Sequence, residues 1–265
     1  PRWPDGRLWC SDFFQHQVYA VSSDGERETI LDLGDEQPSG LGWLPDGSLL
    51  VVGMTRRQVL RATADGNLSI HADLSGVAAW HCNDMVVDAR GNAYVGNFGF
   101  DLENRASPAS ADLALVRADG SVEVAAEGLG FPNGSVITPD GSTLIVGETM
   151  GQCYTAFTIG DDGSLSERRT WAEVQGTAPD GCSLDDDGAI WFANAAAPEV
   201  VRVAEGGEIL ERRATPQSAF ACILGGEDGR TLFVLTSPGF TADSAGSAAG
   251  AIWTTRVDSP GAGLP

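Results

Sequence analysis

Asn83, Asn133 and Asp180 carry the side chains whose type and spacing point most directly to chemistry. Each stands four residues before an apolar residue (Val87, Ile137, Leu184) that itself lies four residues before a glycine turn, and Ser39 stands in the same relation to Trp43. Two amide oxygens and a carboxylate form a hard donor set, suited to Ca²⁺, Mg²⁺ or Mn²⁺ rather than to a structural zinc. Taken singly, Asn133-Gly134 and Asp180-Gly181 read as turn dipeptides and Asn83-Asp84 as a loop or cap. The shared phase is what makes them one candidate set.

That phase comes from a repeat. Glycines at 6, 47, 91, 141, 188 and 229 follow Asp in five cases and Arg90 in the third. Each is expected to open a hydrophobic strand: 7–12, 48–53, 92–97, 142–147, 189–194 and 230–235. A period of 41 to 50 residues is that of a propeller blade. The fold class expected is therefore all-β, a six-bladed β-propeller with four antiparallel strands per blade, forming one domain over residues 1–265. The second blade shows the pattern most plainly, with strands expected at 40–44, 48–53, 58–63 and 68–73 and Asp-Gly turns between them. In such a ring the starts of the inner strands meet at one mouth of the central channel, so residues far apart in sequence converge there.

Strand two returns to the same mouth, bringing Asp12, Asn97, Glu148 and Asn194 to or within one position of equivalence. The insertion 99–112 springs from this rim and is placed to act as a lid or specificity wall. A second irregular stretch, 237–250, is small and polar and reads as a mobile loop. His81 has two open readings, a substrate or proton-carrying group and a hydrogen-bonded structural residue. Trp80 beside it is a candidate pocket wall, whereas Trp3, Trp43, Trp191 and Trp253 read as blade-packing aromatics. Cys82, Cys182 and Cys222 read as core packing rather than nucleophiles.

Composition narrows the function classes. The net charge of -21, from 37 acids against 16 bases that are all arginine, repels phosphate backbones and anionic membranes. Neither nucleic acid nor a membrane is an expected partner, and there is no apolar run of about 18 residues. Five cysteines, odd in number and without a C-x-x-C pair, fit reduced thiols and a cytoplasmic setting.

Pro1-Arg2-Trp3, His81-Cys82-Asn83-Asp84, Phe131-Pro132-Asn133-Gly134 with the turn Thr138-Pro139-Asp140-Gly141, and Pro179-Asp180-Gly181-Cys182 together resemble the gluconolactonase/regucalcin (senescence marker protein) family of six-bladed propellers. The resemblance spans essentially the whole chain. It implies one divalent cation at the channel mouth, with Asn133 and Asp180 as ligands, Asn83 as a ligand or substrate anchor, and Asp180 as general base. Calcium is the first choice, with magnesium, manganese or zinc as alternatives. The family's third ligand is a Glu in Glu-Gly-Pro-x-Trp, which would stand two residues before Pro1, and the family's N-terminal closing strand would lie upstream as well. His81 occupies a place where some members carry Arg.

The expected activity is metal-assisted hydrolysis of a lactone, a sugar lactone or related cyclic ester, in which the cation polarises the carbonyl and Asp180 takes a proton from water. His81, Trp80, Asn83, Asn97 and Glu148 would shape the substrate pocket, and the partner is a small molecule. Hydrolysis of an aryl ester or phosphotriester on the same cation, and a non-catalytic propeller that uses the cation structurally, are the alternatives.

Overall fold

All six repeat glycines adopt positive φ, between 69° and 87°, in a computed structural model that describes residues 1–241 and 249–265. A residue without Cβ takes this conformation at no steric cost, which is why the turn keeps glycine. In four of the turns Asp5, Asp46, Asp140 and Asp228 accept the backbone N–H two residues on. Where Arg90 replaces Asp, Asp88 does the same work, accepting from Arg90 N and Asn92 N at 2.8 and 2.9 Å.

Each turn opens a strand, and the strands form six antiparallel sheets. Blade 1 holds β1 (Leu8–Asp12), β2 (Gln17–Val21) and β3 (Arg27–Asp32). Blade 2 holds β4 (Pro38–Trp43), β5 (Leu49–Gly53), β6 (Gln58–Ala62) and β7 (Leu68–Asp73). Blade 3 holds β8 (Cys82–Val87), β9 (Ala93–Asn97), β10 (Ala111–Val116) and β11 (Val122–Leu129). Blade 4 holds β12 (Pro132–Ile137), β13 (Thr143–Glu148), β14 (Cys153–Ile159) and β15 (Leu165–Glu173). Blade 5 holds β16 (Pro179–Leu184), β17 (Ile190–Asn194), β18 (Glu199–Val203) and β19 (Ile209–Ala214). Blade 6 holds β20 (Ala219–Gly225), β21 (Thr231–Thr236) and β22 (Ala251–Arg256).

Four strands per blade therefore hold for blades 2 to 5, while blades 1 and 6 have three among the described residues. In blade 1 a single bridge between Arg2 and Trp9 stands at the place of the inner strand. In blade 6 no fourth strand pairs with β22 among the described residues, which corrects the reading of Trp253. It is 46% exposed on that outer strand rather than packed between blades. Trp3, Trp43 and Trp191 do pack as expected: Trp3 stacks on Phe233 at 4.7 Å, Trp43 meets Trp9 edge-on, and Trp191 is fully buried. The second irregular stretch falls largely in 242–248, outside the described residues.

The core lies between blades, because inner strands such as β5, β9 and β12 are buried along their whole length and outer strands such as β7 and β19 are mostly exposed. Leu50, Val52 and Val59 of blade 2 pack with Met85, Val87 and Val95 of blade 3, and Val136, Ile145 and Tyr154 of blade 4 pack with Leu184, Ile190 and Phe192 of blade 5. Trp3 closes blade 1 against blade 6, lying so tightly over Gly225 that a Cβ there would meet its ring. All five thiols are free; Cys10, Cys82, Cys182 and Cys222 are buried and Cys153 is half-buried.

The two ends of the channel differ. The C-terminal tail crosses one end, pairing Gly261 with Asp185 and Leu264 with Ile137. Beside it a cleft of about 310 Å³ is lined by Thr138, Trp171, Leu184, Asp185 and Ala262. Asn83, Asn133 and Asp180 begin their strands at the other end.

Candidate active site at the channel mouth

The inner strands enter the ring through a repeated β-bulge. Pro132 lies opposite Glu148 and Ser135 opposite Val146, so Asn133 and Gly134 together face one residue. The same irregularity falls at Ser39-Gly40, Asn83-Asp84 and Asp180-Gly181. A bulge of this kind leaves its extra residue outside the ladder and re-aims the side chain. The donor residues found by phasing are thus the ones whose side chains the bulges turn.

Glycine in the second bulge position lets adjacent inner strands touch. A Cβ on Gly134 would fall on the Asp180 carbonyl oxygen and 2.8 Å from Cys182 N, and one on Gly181 would lie 2.9 Å from Ala221 Cα. This close approach brings Asn133 and Asp180 together. The Asn133 side chain lies near enough to the Asp180 carboxyl to favour its ionised form, and its Nδ2 donates to Thr149 Oγ1 at 3.0 Å. Thr149 in turn donates to Pro179 O at 2.7 Å. With Nδ2 so engaged, Asn133 Oδ1 accepts no hydrogen bond among the described residues and stays available as a donor oxygen.

Asp180 is half-buried, and desolvation pushes its carboxyl up to about 7, with the negative charge of Asp84 adding to the shift. The Gly181 N–H and the Asn133 amide oppose that rise without cancelling it. Asn83 is buried, and its Oδ1 accepts from Ser39 Oγ at 3.5 Å, linking two phased positions of blades 2 and 3. Asp84 joins Asn83 to the set through its charge on Asp180, and it is paired with Arg2 at 3.1 Å.

The residues at the ends of the second strands have other partners. Asn97 donates to Asp112 O at 2.7 Å and accepts Gly99 N at 3.0 Å, closing the neck of the insertion. Glu148 accepts Gly130 N and Thr155 Oγ1, and Asn194 accepts Ala178 N while donating to Glu199. Asp12 accepts the N–H groups of Phe14 and Gln15. These side chains lock turns at the rim, and the structure does not bring Asn97 or Glu148 into the Asn133–Asp180 pair.

Trp80 and His81 begin an aromatic wall. Their rings stack at 4.9 Å, His81 meets Phe98 at 6.0 Å, and Phe98 stacks on Phe131 at 4.6 Å. Phe131, two residues before Asn133, holds a φ of 63°, a left-handed conformation costly for an aromatic residue and maintained by its buried packing. Phe100 of the insertion packs against it, and Glu103 approaches His81 Nδ1 to 3.8 Å. His81 Nδ1 and Trp80 Nε1 are buried without a hydrogen-bond partner.

Thr149, Arg2, Asp84, Phe98 and Phe131 were not among the residues selected by phasing. For Asp84 a signal existed, since it stands where the other phased strands have Gly40, Gly134 and Gly181. Thr149 gave none; its role arises from the fold of β13 against β16.

Among the described residues no three His, Cys, Asp or Glu side chains gather as a metal cluster. The family model described as SMP-30/Gluconolactonase/LRE-like region matches residues 1–238. The chain belongs to the SMP-30/gluconolactonase/LRE-like family. Among its relatives is the pentonolactonase XacC of Haloferax volcanii, 30% identical over 231 residues that cover 83% of this chain and 76% of the relative. A gluconolactonase from Xanthomonas campestris superposes with a TM-score of 0.74 at 27% identity, covering 98% of this chain and 82% of its own. A calcium-binding regucalcin from Agrobacterium tumefaciens shares the fold with a TM-score of 0.80 at 20% identity, over 98% of this chain and 89% of its own. This SMP-30/gluconolactonase propeller therefore carries Asn-Gly and Asp-Gly bulges side by side at the mouth, with an aromatic wall above them. Among the described residues no helix is long and apolar enough to cross a membrane.

Proposed function

We propose that the chain is a divalent-cation-assisted lactonase, hydrolysing a sugar lactone or related cyclic ester at the channel mouth. The observation that carries this reading is the Asn133–Asp180 pair, an unengaged amide oxygen beside a desolvated carboxylate. The donor chemistry fits a hard cation: both atoms are oxygens, and a positive charge would relieve the repulsion between Asp180 and Asp84. Asn133 and Asp180 would hold the ion, with Asn83 as a third donor or a substrate anchor. The relatives named above, a pentonolactonase and a gluconolactonase, support the substrate class, and the regucalcin's calcium supports the choice of ion. When bound, the cation supplies Lewis-acid polarisation of the ester carbonyl.

The chain's own residues supply the rest. Asp180 accepts a proton from the attacking water as the water oxygen bonds the carbonyl carbon, and it returns that proton to the ring oxygen as the C–O ester bond breaks. Thr149 keeps the Asn133 amide turned so that its nitrogen faces protein and its oxygen the mouth. Trp80, His81 and Phe98 line the approach for the substrate ring, with buried Phe131 stacked behind Phe98.

The test is a panel of lactones, aryl esters and phosphotriesters assayed with Ca²⁺, Mg²⁺, Mn²⁺ and Zn²⁺. Turnover of lactones is expected, with a loss on the order of 10³-fold in kcat for Asp180→Ala while its circular dichroism spectrum stays that of the folded protein. Absence of lactone turnover with every ion would sink the proposal.

A further inference from the structure

Arg2 is a buried cation that reaches from blade 1 to blade 3. Its side chain is 6% exposed, and it pairs with Asp84 Oδ1 at 3.1 Å, donates to Met85 O, and donates to Pro1 O at 2.7 Å. Asp84 Oδ1 also accepts Met85 N at 2.8 Å. The guanidinium and the carboxylate therefore grip the Asn83-Asp84-Met85 bulge from both sides of the backbone. Gly40 of blade 2 packs against the same bulge, so closely that a Cβ would meet Met85 N at 2.5 Å and Asp84 Oδ1 at 2.9 Å.

A buried ion pair adds little stability compared with apolar side chains of the same volume, so stability alone does not account for its presence. Its position suggests another use. Asp84 is the only one of the four bulge pairs' second residues that is not glycine, the others being Gly40, Gly134 and Gly181. Left free, it would offer a second carboxylate beside Asp180, close enough for their charges to repel. A calcium site binds more tightly as its count of charged ligands rises.

We propose that Arg2 is a positioning residue of the mouth, fixing the bulge that carries Asn83 and holding Asp84 out of the oxygen set offered to the cation. This rests on the reading of Asn133 and Asp180 as cation ligands. The second carboxylate is neutralised within the protein, which keeps cation binding moderate and leaves the bound ion's positive charge for the substrate carbonyl.

Calorimetric titration of the full chain with Ca²⁺ alone tests this, using Arg2→Met, Arg2→Lys and the double variant Arg2→Met/Asp84→Asn. Arg2→Met is expected to bind Ca²⁺ at least about five-fold more tightly than wild type, because the freed carboxylate joins the site. The double variant should return to within about two-fold of wild type, since it removes the released charge. A purely structural Arg2 predicts the opposite sign: weaker binding in Arg2→Met. Binding no tighter than wild type, or tighter binding that persists in the double variant, overturns the proposal. If Arg2→Met does not fold, Arg2→Lys decides. Its ammonium can stand in for the Nη2 that serves both Asp84 Oδ1 and Met85 O but lacks the planar fork and the Nη1 donor to Pro1 O, so a looser hold and tightening of about two-fold are expected, and no change overturns the assignment. A wild-type chain that binds no Ca²⁺ would instead refute the cation reading itself, and this inference with it, before any variant is made.

Discussion

Asn133 and Thr149 are joined by a 3.0 Å hydrogen bond in which the amide nitrogen donates to the hydroxyl, and the hydroxyl in turn donates to Pro179 O at 2.7 Å. The relay ties blade 4 to the first residue of blade 5's inner strand and fixes which atom of the amide is left over. Thr149→Val keeps the shape and removes the relay. Loss of such an orienting partner lowers metal affinity by about ten-fold or more. Calcium titration should show that drop with an unchanged circular dichroism spectrum; wild-type affinity in the variant would show that Asn133 is oriented by other means.

Asp180 makes the cation-free protein sensitive to pH. Its carboxyl lies at about 7 in the folded state against an ordinary 3.8, chiefly through desolvation. Below about pH 4 the group is protonated in both states and has no effect on stability. As pH rises from there the unfolded chain ionises first, so folding carries a growing penalty that levels off above about pH 7. In EDTA, Asp180→Asn should therefore gain melting temperature relative to wild type across that interval. Calcium affinity of the wild type should rise over the same window, because binding needs the ionised carboxylate. A melting difference that stays flat with pH would contradict the assignment.

Gly134 and Gly141 stand seven residues apart but should respond differently to alanine. At Gly134 a Cβ falls on the backbone of Asp180 and Cys182, which cannot yield without separating β12 from β16. Overpacking of this kind costs about 1–3 kcal/mol and should also abolish cation binding. Gly141 has φ +71° with open space around it, so Gly141→Ala should cost only about 1 kcal/mol of backbone strain and leave binding intact. Urea denaturation paired with calcium titration separates the two; equal effects would argue against the close approach as the device that forms the site.

Glu148 tests whether the rim residues act on substrate or on structure. Both of its oxygens are engaged, by Gly130 N and Thr155 Oγ1. Glu148→Ala leaves the half-buried Gly130 N–H and the buried Thr155 hydroxyl without their acceptor and should destabilise the fold by about 1–3 kcal/mol. KM for the best lactone should stay within about two-fold of wild type. A rise in KM without loss of stability would instead place Glu148 in the substrate pocket. By contrast Trp80→Leu, which removes a ring of the wall, is expected to raise KM several-fold with little change in kcat.

The six turns were legible because their physics is local. A glycine at positive φ beside a side-chain acceptor is set by a few consecutive residues, and even Arg90, the break in the pattern, was compensated two positions upstream by Asp88. Once the turns were in phase, the start of each inner strand followed, and Asn133 and Asp180 came with it. The edge of blade 6 was not legible in the same way, because no strand pairs with β22 on its outer side among the described residues. Trp253 was misplaced for that reason: its burial depended on a fourth strand that the described residues do not provide.

By itself the sequence determined the blade count, the phase and the oxygen donors, since repeat spacing and turn chemistry are properties of short segments. Only the tertiary structure decided which polar residues at the rim have free atoms. Asn97, Glu148 and Asn194 look as suitable as Asn133 when read along the chain, yet their oxygens and nitrogens are engaged by nearby turns, while close strand packing at Gly134 brings Asn133 and Asp180 together. The Arg2–Asp84 pair belongs to the same class, because its two members lie 82 residues apart and meet only when the ring has closed. Hydrogen-bond capacity is spent locally first, and what remains for function is decided by which strands come into contact.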